Sequence, residues 1–145
     1  MPQRLRLVVV EDDPGHALLL ERTLRRAGLR NEIVIFEDGD EALRHLVEEG
    51  AEDVLLLLDL RLPRVDGFEV LRRRQSDPLL ADVPVILLTT TEDPEDLETC
   101  RLLGCQHYLV KPIEFGRFAE TVRRLGLAPF VDLQGESEPS NPLSP

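Results

Sequence analysis

In the stretch DVLLLLDLRLPRVDG, residues 53–67, four consecutive leucines (Leu55 to Leu58) run straight into a carboxylate, Asp59. A short, unbroken apolar run of this kind reads as a β-strand buried on both faces, the pattern of a parallel sheet covered on its two sides. A charge at the end of such a strand is costly unless something there needs it. The loop that follows carries Pro63 and Gly67, after which Phe68 and Leu71 begin a helical spacing.

Outward from this strand the apolar period switches repeatedly. Leu5 to Val10 is a β-branched run, followed by a helix in which Ala17, Leu20, Leu24 and Ala27 recur at helical spacing and Gly28 supplies the stop. Asn31 to Phe36 reads as a second strand. Ala42, Leu43, Leu46 and Val47 then share one face of a helix closed by Gly50. Beyond the leucine run, VPVILLTT is a fourth buried strand, DPEDLETCRLLG a helix ended by Gly104, and HYLV a short fifth strand. Phe115, Phe118, Ala119, Val122 and Leu125 line one face of a last helix. Strand and helix alternate five times with short connections, which predicts an α/β doubly wound parallel sheet with helices on both sides.

Composition narrows the function classes. The chain has 145 residues, 42% hydrophobic and 31% charged, with a net charge of -11. That balance suits a soluble domain and argues against a nucleic-acid surface, so no DNA partner is expected. No apolar run approaches the ~20 residues of a membrane span, and the N-terminus lacks a signal peptide's cleavage site. A cytoplasmic location without membrane contact is expected. Cys100 and Cys105 form no C-x-x-C pair and read as reduced, half-buried thiols. His16, His45 and His107 are scattered and read as surface or core filler. Beyond Gln134 the composition turns to Pro, Ser, Glu and Gly, the mark of a disordered tail, while Phe130, Val131 and Leu133 before it are free to dock on the body or on a second copy.

In an open parallel sheet ligands bind outside the carboxyl ends of the strands. The first strand delivers Glu11, Asp12 and Asp13 there, the third Asp59, the fourth Thr89, Thr90 and Thr91, and the fifth Lys111 followed by Pro112. The second offers little. Clustered acids repel, which raises at least one pKa, and a hard divalent cation such as Mg²⁺ removes the repulsion. Beside such a cation Asp59 can act as a nucleophile toward phosphorus, with a threonine hydroxyl and a lysine to meet the phosphoryl oxygens. Each piece alone has an ordinary explanation. Acids after a strand often cap the next helix, and any of Thr91, Glu92 and Asp93 could begin the fourth one. The conjunction on four strands of one sheet has none.

These stretches resemble the two-component response-regulator receiver domain. VVVEDD is similar to its acidic pocket, LLLLDLRLPRVDGFEVL to the strand and loop around its phosphoacceptor, PVILLTT to its switch threonine, and HYLVKP to its Lys-Pro signature. SDPLLADVPVILLTT and the Lys111–Phe115 stretch look most like the stand-alone, single-domain receivers paired with bacteriophytochrome histidine kinases. The resemblance implies a flavodoxin-like five-stranded sheet, order 2-1-3-4-5. It implies a receiver domain over 1–127 and a C-terminal extension over 128–145, with a docking segment at Pro129–Leu133 and then a low-complexity tail. It makes Asp59 the phosphoacceptor. Mg²⁺ or Mn²⁺ would be held by Asp12 directly, by Glu11 through water, by Asp59, and by the backbone carbonyl of Arg61. Asp13 would cap the first helix. Thr89, Thr90 and Lys111 would contact phosphoryl oxygens, Lys111–Pro112 would be a cis peptide, and Thr89 with Tyr108 would form the switch. Arg61, Thr90 and Thr91 depart from the commonest family pattern or vary within it. They flank the path of a hydrolytic water, so Arg61 and Thr91 are expected to tune the lifetime of the aspartyl phosphate.

The expected partners are a sensor histidine kinase, of the bacteriophytochrome kind on the finer resemblance, and a second copy of the chain. No second domain is expected after the fifth helix, so output would run through protein contacts rather than turnover of a substrate. Leu18 and Leu19, left over once Ala17, Leu20 and Leu24 point inward, could form part of a kinase-docking face. Two rival readings fit parts of the pattern. A receiver-like binding module that is never phosphorylated would keep the fold and lose the chemistry. An aspartate-nucleophile phosphohydrolase would want a second Asp two residues after the first, where this chain has Arg61.

Overall fold

The computed structural model describes residues 4–62 and 64–133; Pro63 of the loop and the tail expected from Gln134 onward lie outside the described residues. Five strands, β1 (Arg6–Val10), β2 (Ile33–Phe36), β3 (Val54–Asp59), β4 (Val85–Thr89) and β5 (Tyr108–Val110), form one parallel sheet in the order β2-β1-β3-β4-β5. Between and after them lie α1 (Pro14–Arg26), α2 (Gly39–Glu49), α3 (Gly67–Ser76), α4 (Pro94–Leu102) and α5 (Phe115–Arg124).

The leucine run is the centre of this sheet. β3 lies between β1 and β4 and every residue in it is buried. Because side chains alternate along a strand, its apolar residues split between two cores. Leu56 and Leu58 join Val8, Val10 and Leu87 under α2, α3 and α4, through Leu46, Leu71 and Cys100. Leu55 and Leu57 join Leu7, Val9 and Ile86 under α1 and α5, through Leu24, Phe118 and Val122. The unbroken apolar run is thus two interleaved half-runs, one for each face.

Caps fix where the helices start. Asp13, Asp38, Asp66 and Asp93 each accept backbone N–H bonds at the N-termini of α1, α2, α3 and α4. Among Thr91, Glu92 and Asp93, the cap is Asp93.

Two expectations need correction. Val47 does not share the buried face of α2 but is 49% exposed. It lies five residues past Ala42, about 140° around the helix, beyond the arc that meets the sheet. Cys100 and Cys105 are fully buried free thiols rather than half-buried ones, because α4 and the turn before β5 press them into the core.

The amino end of the sheet is closed by the chain's own last described residues. Asn31, 1% exposed, donates from Nδ2 to the carbonyls of Leu5 (2.8 Å) and Phe130 (3.0 Å) and accepts the Asp132 N–H at Oδ1 (2.7 Å). Leu5 N–H also donates to Phe130 O, and Leu29 and Leu133 form an antiparallel bridge. The backbone of the Phe130–Leu133 segment is therefore bonded to its own body.

Candidate functional site

The site is assembled at the carboxyl ends of β1, β3, β4 and β5, and the backbone there stays tied to the sheet. Glu11 N–H donates to Phe36 O (2.9 Å), Leu60 N–H to Leu88 O (3.1 Å), and Lys111 N–H to Thr89 O (2.8 Å). The side chains just beyond the strands thus leave from fixed points. The loop after Asp59 folds back tightly, with Gly67 N–H donating to Leu60 O. A Cβ at Gly67 would stand 2.8 Å from Leu60 Cα and 2.9 Å from the Asp59 carbonyl oxygen, so only glycine fits this approach.

Three acids meet at this edge. Glu11, Asp12 and Asp59 each present a carboxylate oxygen, all within 4.8 Å of one another. Glu11 and Asp59 are 2% and 7% exposed, which for carboxylates demands partners. Lys111 supplies them: its ammonium donates to Glu11 Oε1 and, at 3.1 Å, to Asp59 Oδ2. Asp59 Oδ1 accepts the Arg61 N–H at 3.1 Å, and Glu11 Oε2 accepts the Asp13 N–H at 3.1 Å.

The electrostatics follow from this count of three acids against one ammonium. Burial raises the pKa of Glu11 and the nearby Asp59 charge adds to the rise, while Lys111 and the Asp13 amide pull it back. Burial works against a charged Lys111, but its bonds to Glu11 and Asp59 outweigh that, and its pKa is raised. A buried acid pushed toward protonation beside two other carboxylates is a donor set that a hard, oxygen-seeking divalent cation fits.

The remaining predicted residues lie close but are turned elsewhere. Thr89 is buried at the end of β4, yet its hydroxyl donates to Thr91 O (2.7 Å) and accepts the Thr91 N–H (3.2 Å), so it is spent within its own turn. Thr90 is exposed and lines, with Glu11, His16 and Lys111, a cavity of about 230 Å³ beside the acids. Tyr108 reaches outward to donate its hydroxyl to Glu92 Oε2 at 2.7 Å. The Arg61 guanidinium leads away from Asp59, pairing with Asp96 on α4 and sitting 5.7 Å over the Phe68 ring. Arg64, at φ +60°, pairs with the α2 cap Asp38. The Lys111–Pro112 peptide is cis.

One residue at the site was passed over in the sequence. His16, in the first turn of α1, places Nδ1 3.3 Å from Lys111 Nζ. The two are 95 positions apart, and no local spacing signals the contact.

Comparison with known proteins places this arrangement. The response regulator receiver domain family matches residues 7–123. The probable methanogenesis regulatory protein FilR2 of Methanothrix harundinacea is 37% identical over 123 residues, 82% of this chain and 79% of that protein. The bacteriophytochrome response regulator AtBRR superposes with a TM-score of 0.78 at 35% identity, over 87% of this chain and 95% of that one. The Mn²⁺-bound form of response regulator Rcp1, a protein of Synechocystis, superposes with a TM-score of 0.70 at 28% identity, over 90% of this chain and 99% of that one. With a 2-1-3-4-5 parallel sheet, acids, threonine and lysine at its carboxyl edge, and a family match across more than three quarters of its length, the chain belongs to the response regulator receiver domains.

Proposed function

We propose that this chain is a phosphoryl-accepting switch in which Asp59 takes a phosphoryl group from a phosphohistidine on a sensor histidine kinase. The observation that carries the reading is the Lys111 ammonium held between the buried carboxylates of Glu11 and Asp59 at the carboxyl edge of the sheet. A carboxylate oxygen of Asp59 attacks phosphorus in line; the new O–P bond forms as the P–N bond breaks, and the electron pair of that bond leaves with the donor imidazole.

Asp12, Asp59 and the backbone carbonyl of Arg61, with Glu11 through water, are the groups we assign to a Mg²⁺ or Mn²⁺ ion. The acidic cluster and the Mn²⁺-bound relative support that assignment. When bound, the cation supplies positive charge against the transferring phosphoryl group. Lys111 then turns from its carboxylate partners to a phosphoryl oxygen, and Thr90 stands beside the same opening. Thr89 exchanges its bond to Thr91 O for another phosphoryl oxygen, and Tyr108 leaves Glu92 and moves inward. The protein acts as a two-state element and not as a turnover enzyme.

For the phosphodonor we favour a kinase of the bacteriophytochrome type, on the likeness to AtBRR. Leu18 and Leu19, 48% and 52% exposed on α1, are our docking candidates, and Leu19 also lines the cavity beside the acids. A homodimer through α5 and the Phe130–Leu133 segment is the second partner proposed; light scattering that stays monomeric with and without phosphorylation removes it.

Intact-protein mass after incubation with Mg²⁺ and acetyl phosphate tests the central claim. The parent gains one phosphoryl group, and neither Asp59→Asn nor a chelator-treated sample does. A folded parent that never gains mass leaves a binding module in place of a receiver that is phosphorylated.

A further inference from the structure

An ammonium has three N–H donors and no acceptor. At Lys111 all three have somewhere to go: Glu11 Oε1, Asp59 Oδ2 at 3.1 Å, and His16 Nδ1 at 3.3 Å. The first two are carboxylates of the acidic trio. The third belongs to a different element and carries no part of the cation's donor set.

The His16 ring is well placed to be a fixed partner. Its backbone N–H is held by Asp13 Oδ1 at 3.2 Å, inside the capped first turn of α1. Because Lys111 can only donate, the contact requires Nδ1 to accept, which leaves the ring proton on Nε2. That nitrogen faces Asp13 Oδ2 at 3.7 Å. Asp13 thus fixes the backbone from which the ring leaves, and the ring's own contact is the one at Nδ1 with Lys111. The ring is 48% exposed and lines the approach to Lys111, whose side chain is only 12% exposed.

We propose that His16 is a positioning residue for Lys111: its Nδ1 holds the ammonium at the mouth of the site while the carboxylate partners are given up. The inference rests on the phosphoacceptor reading above. When Glu11 and Asp59 turn to a cation and to phosphorus, two of the three bonds that aim Lys111 are lost together. His16 alone keeps its partner. The lysine then needs no search through its rotamers to meet the arriving phosphoryl oxygen, and the gain is preorganisation of a charge that acts late in the reaction.

The experiment compares His16→Ala and His16→Asn with the parent, since an asparagine amide oxygen can stand near the place of Nδ1 and alanine offers nothing. Phosphorylation by acetyl phosphate with Mg²⁺ is expected to slow about tenfold in His16→Ala, the worth of one hydrogen bond to a charged group. In His16→Asn it stays within about twofold of the parent. Mg²⁺ affinity by calorimetry is unchanged in both, as a merely structural loss of the α1 turn would not arrange. Without metal or phosphodonor, the ¹⁵N resonance of His16 Nδ1 is expected to shift in Lys111→Met, reporting the contact directly. Equal rates in parent and His16→Ala, an Asn variant as slow as Ala, or an Nδ1 resonance indifferent to Lys111 overturns the inference while the receiver reading stands. A folded parent that takes no phosphoryl group overturns both.

Discussion

The two ends of the sheet bury polar groups equally well and complete them differently. At the amino end Asn31 is 1% exposed and meets three backbone groups of its own chain, two carbonyls and one N–H, at ordinary distances. Nothing from outside is needed there. At the carboxyl end Glu11 and Asp59 are 2% and 7% exposed and share one ammonium, with Asp12 adding a third negative charge. That end is short of positive charge. One edge is satisfied within the chain, while the other gathers three carboxylates around one lysine, and it is this second edge on which the proposed function rests.

The sharpest way to break this comparison is Lys111→Met. Without its ammonium two buried carboxylates face each other unpaired, and stability falls by about 3 kcal/mol in urea denaturation at neutral pH. Excess Mg²⁺ is expected to recover most of that loss; a variant as stable as the parent without metal would mean the acids do not strain the fold. At the other end Asn31→Ala strands buried backbone groups and costs about 2 kcal/mol. Mg²⁺ does not restore it, and the rate of phosphoryl uptake is unchanged. A changed rate would show that the two ends are not independent.

Smaller effects test the cores between. Burial pushes the Cys100 thiol up to about 12 from an ordinary 9.0, with the Cys105 and Asp96 charges adding to it. A group whose pKa is raised in the folded protein contributes in full below pH 9.0, and its share is lost as pH climbs toward 12. Thiol alkylation at pH 8 is therefore expected to leave both cysteines unmodified in the native protein and to reach both in urea. Rapid native labelling would contradict the packing of α4. The smallest change is expected from Arg61→Asn. The exposed Arg61–Asp96 pair contributes little to stability, so melting barely moves, and the readout is aspartyl-phosphate decay; equal decay in parent and variant removes Arg61 from the lifetime.

Most of the fold was legible because each apolar run carried its own period: the alternation, the strands and the strand-end delivery of Glu11, Asp59, Thr89 and Lys111 follow from local pattern. What stayed hidden depends on neighbours distant in sequence. Val47 looked inward because an apolar residue one step past Leu46 extends the stripe on paper, while the sheet covers a narrower arc. Arg74, about which the helical spacing of Phe68 and Leu71 says nothing, is 8% exposed and donates from Nε to Val83 O at 2.7 Å. Asn31 read as the first residue of a strand, since its partners at 130 and 132 are about a hundred positions away. His16 was invisible for the same reason. The residue types of the site could be read along the chain, but not where Thr89, Tyr108 and Arg61 would point.

The sparse packing of α4 has a consequence for how the domain speaks. Of its nine residues only Cys100 is buried, against four of ten in α3 and four of eleven in α2. Elements with few buried contacts open locally at a fraction of the global unfolding free energy, while a fully buried central strand opens last. Amide hydrogen exchange should therefore spread across minutes to days between these two neighbours, fast in α4 and slowest in β3. The residue that would receive the message sits on the most durable part of the molecule, and the helix beside it is the one most easily let go. A signal can then be carried by how often α4 is released, with the sheet that holds Asp59 staying whole.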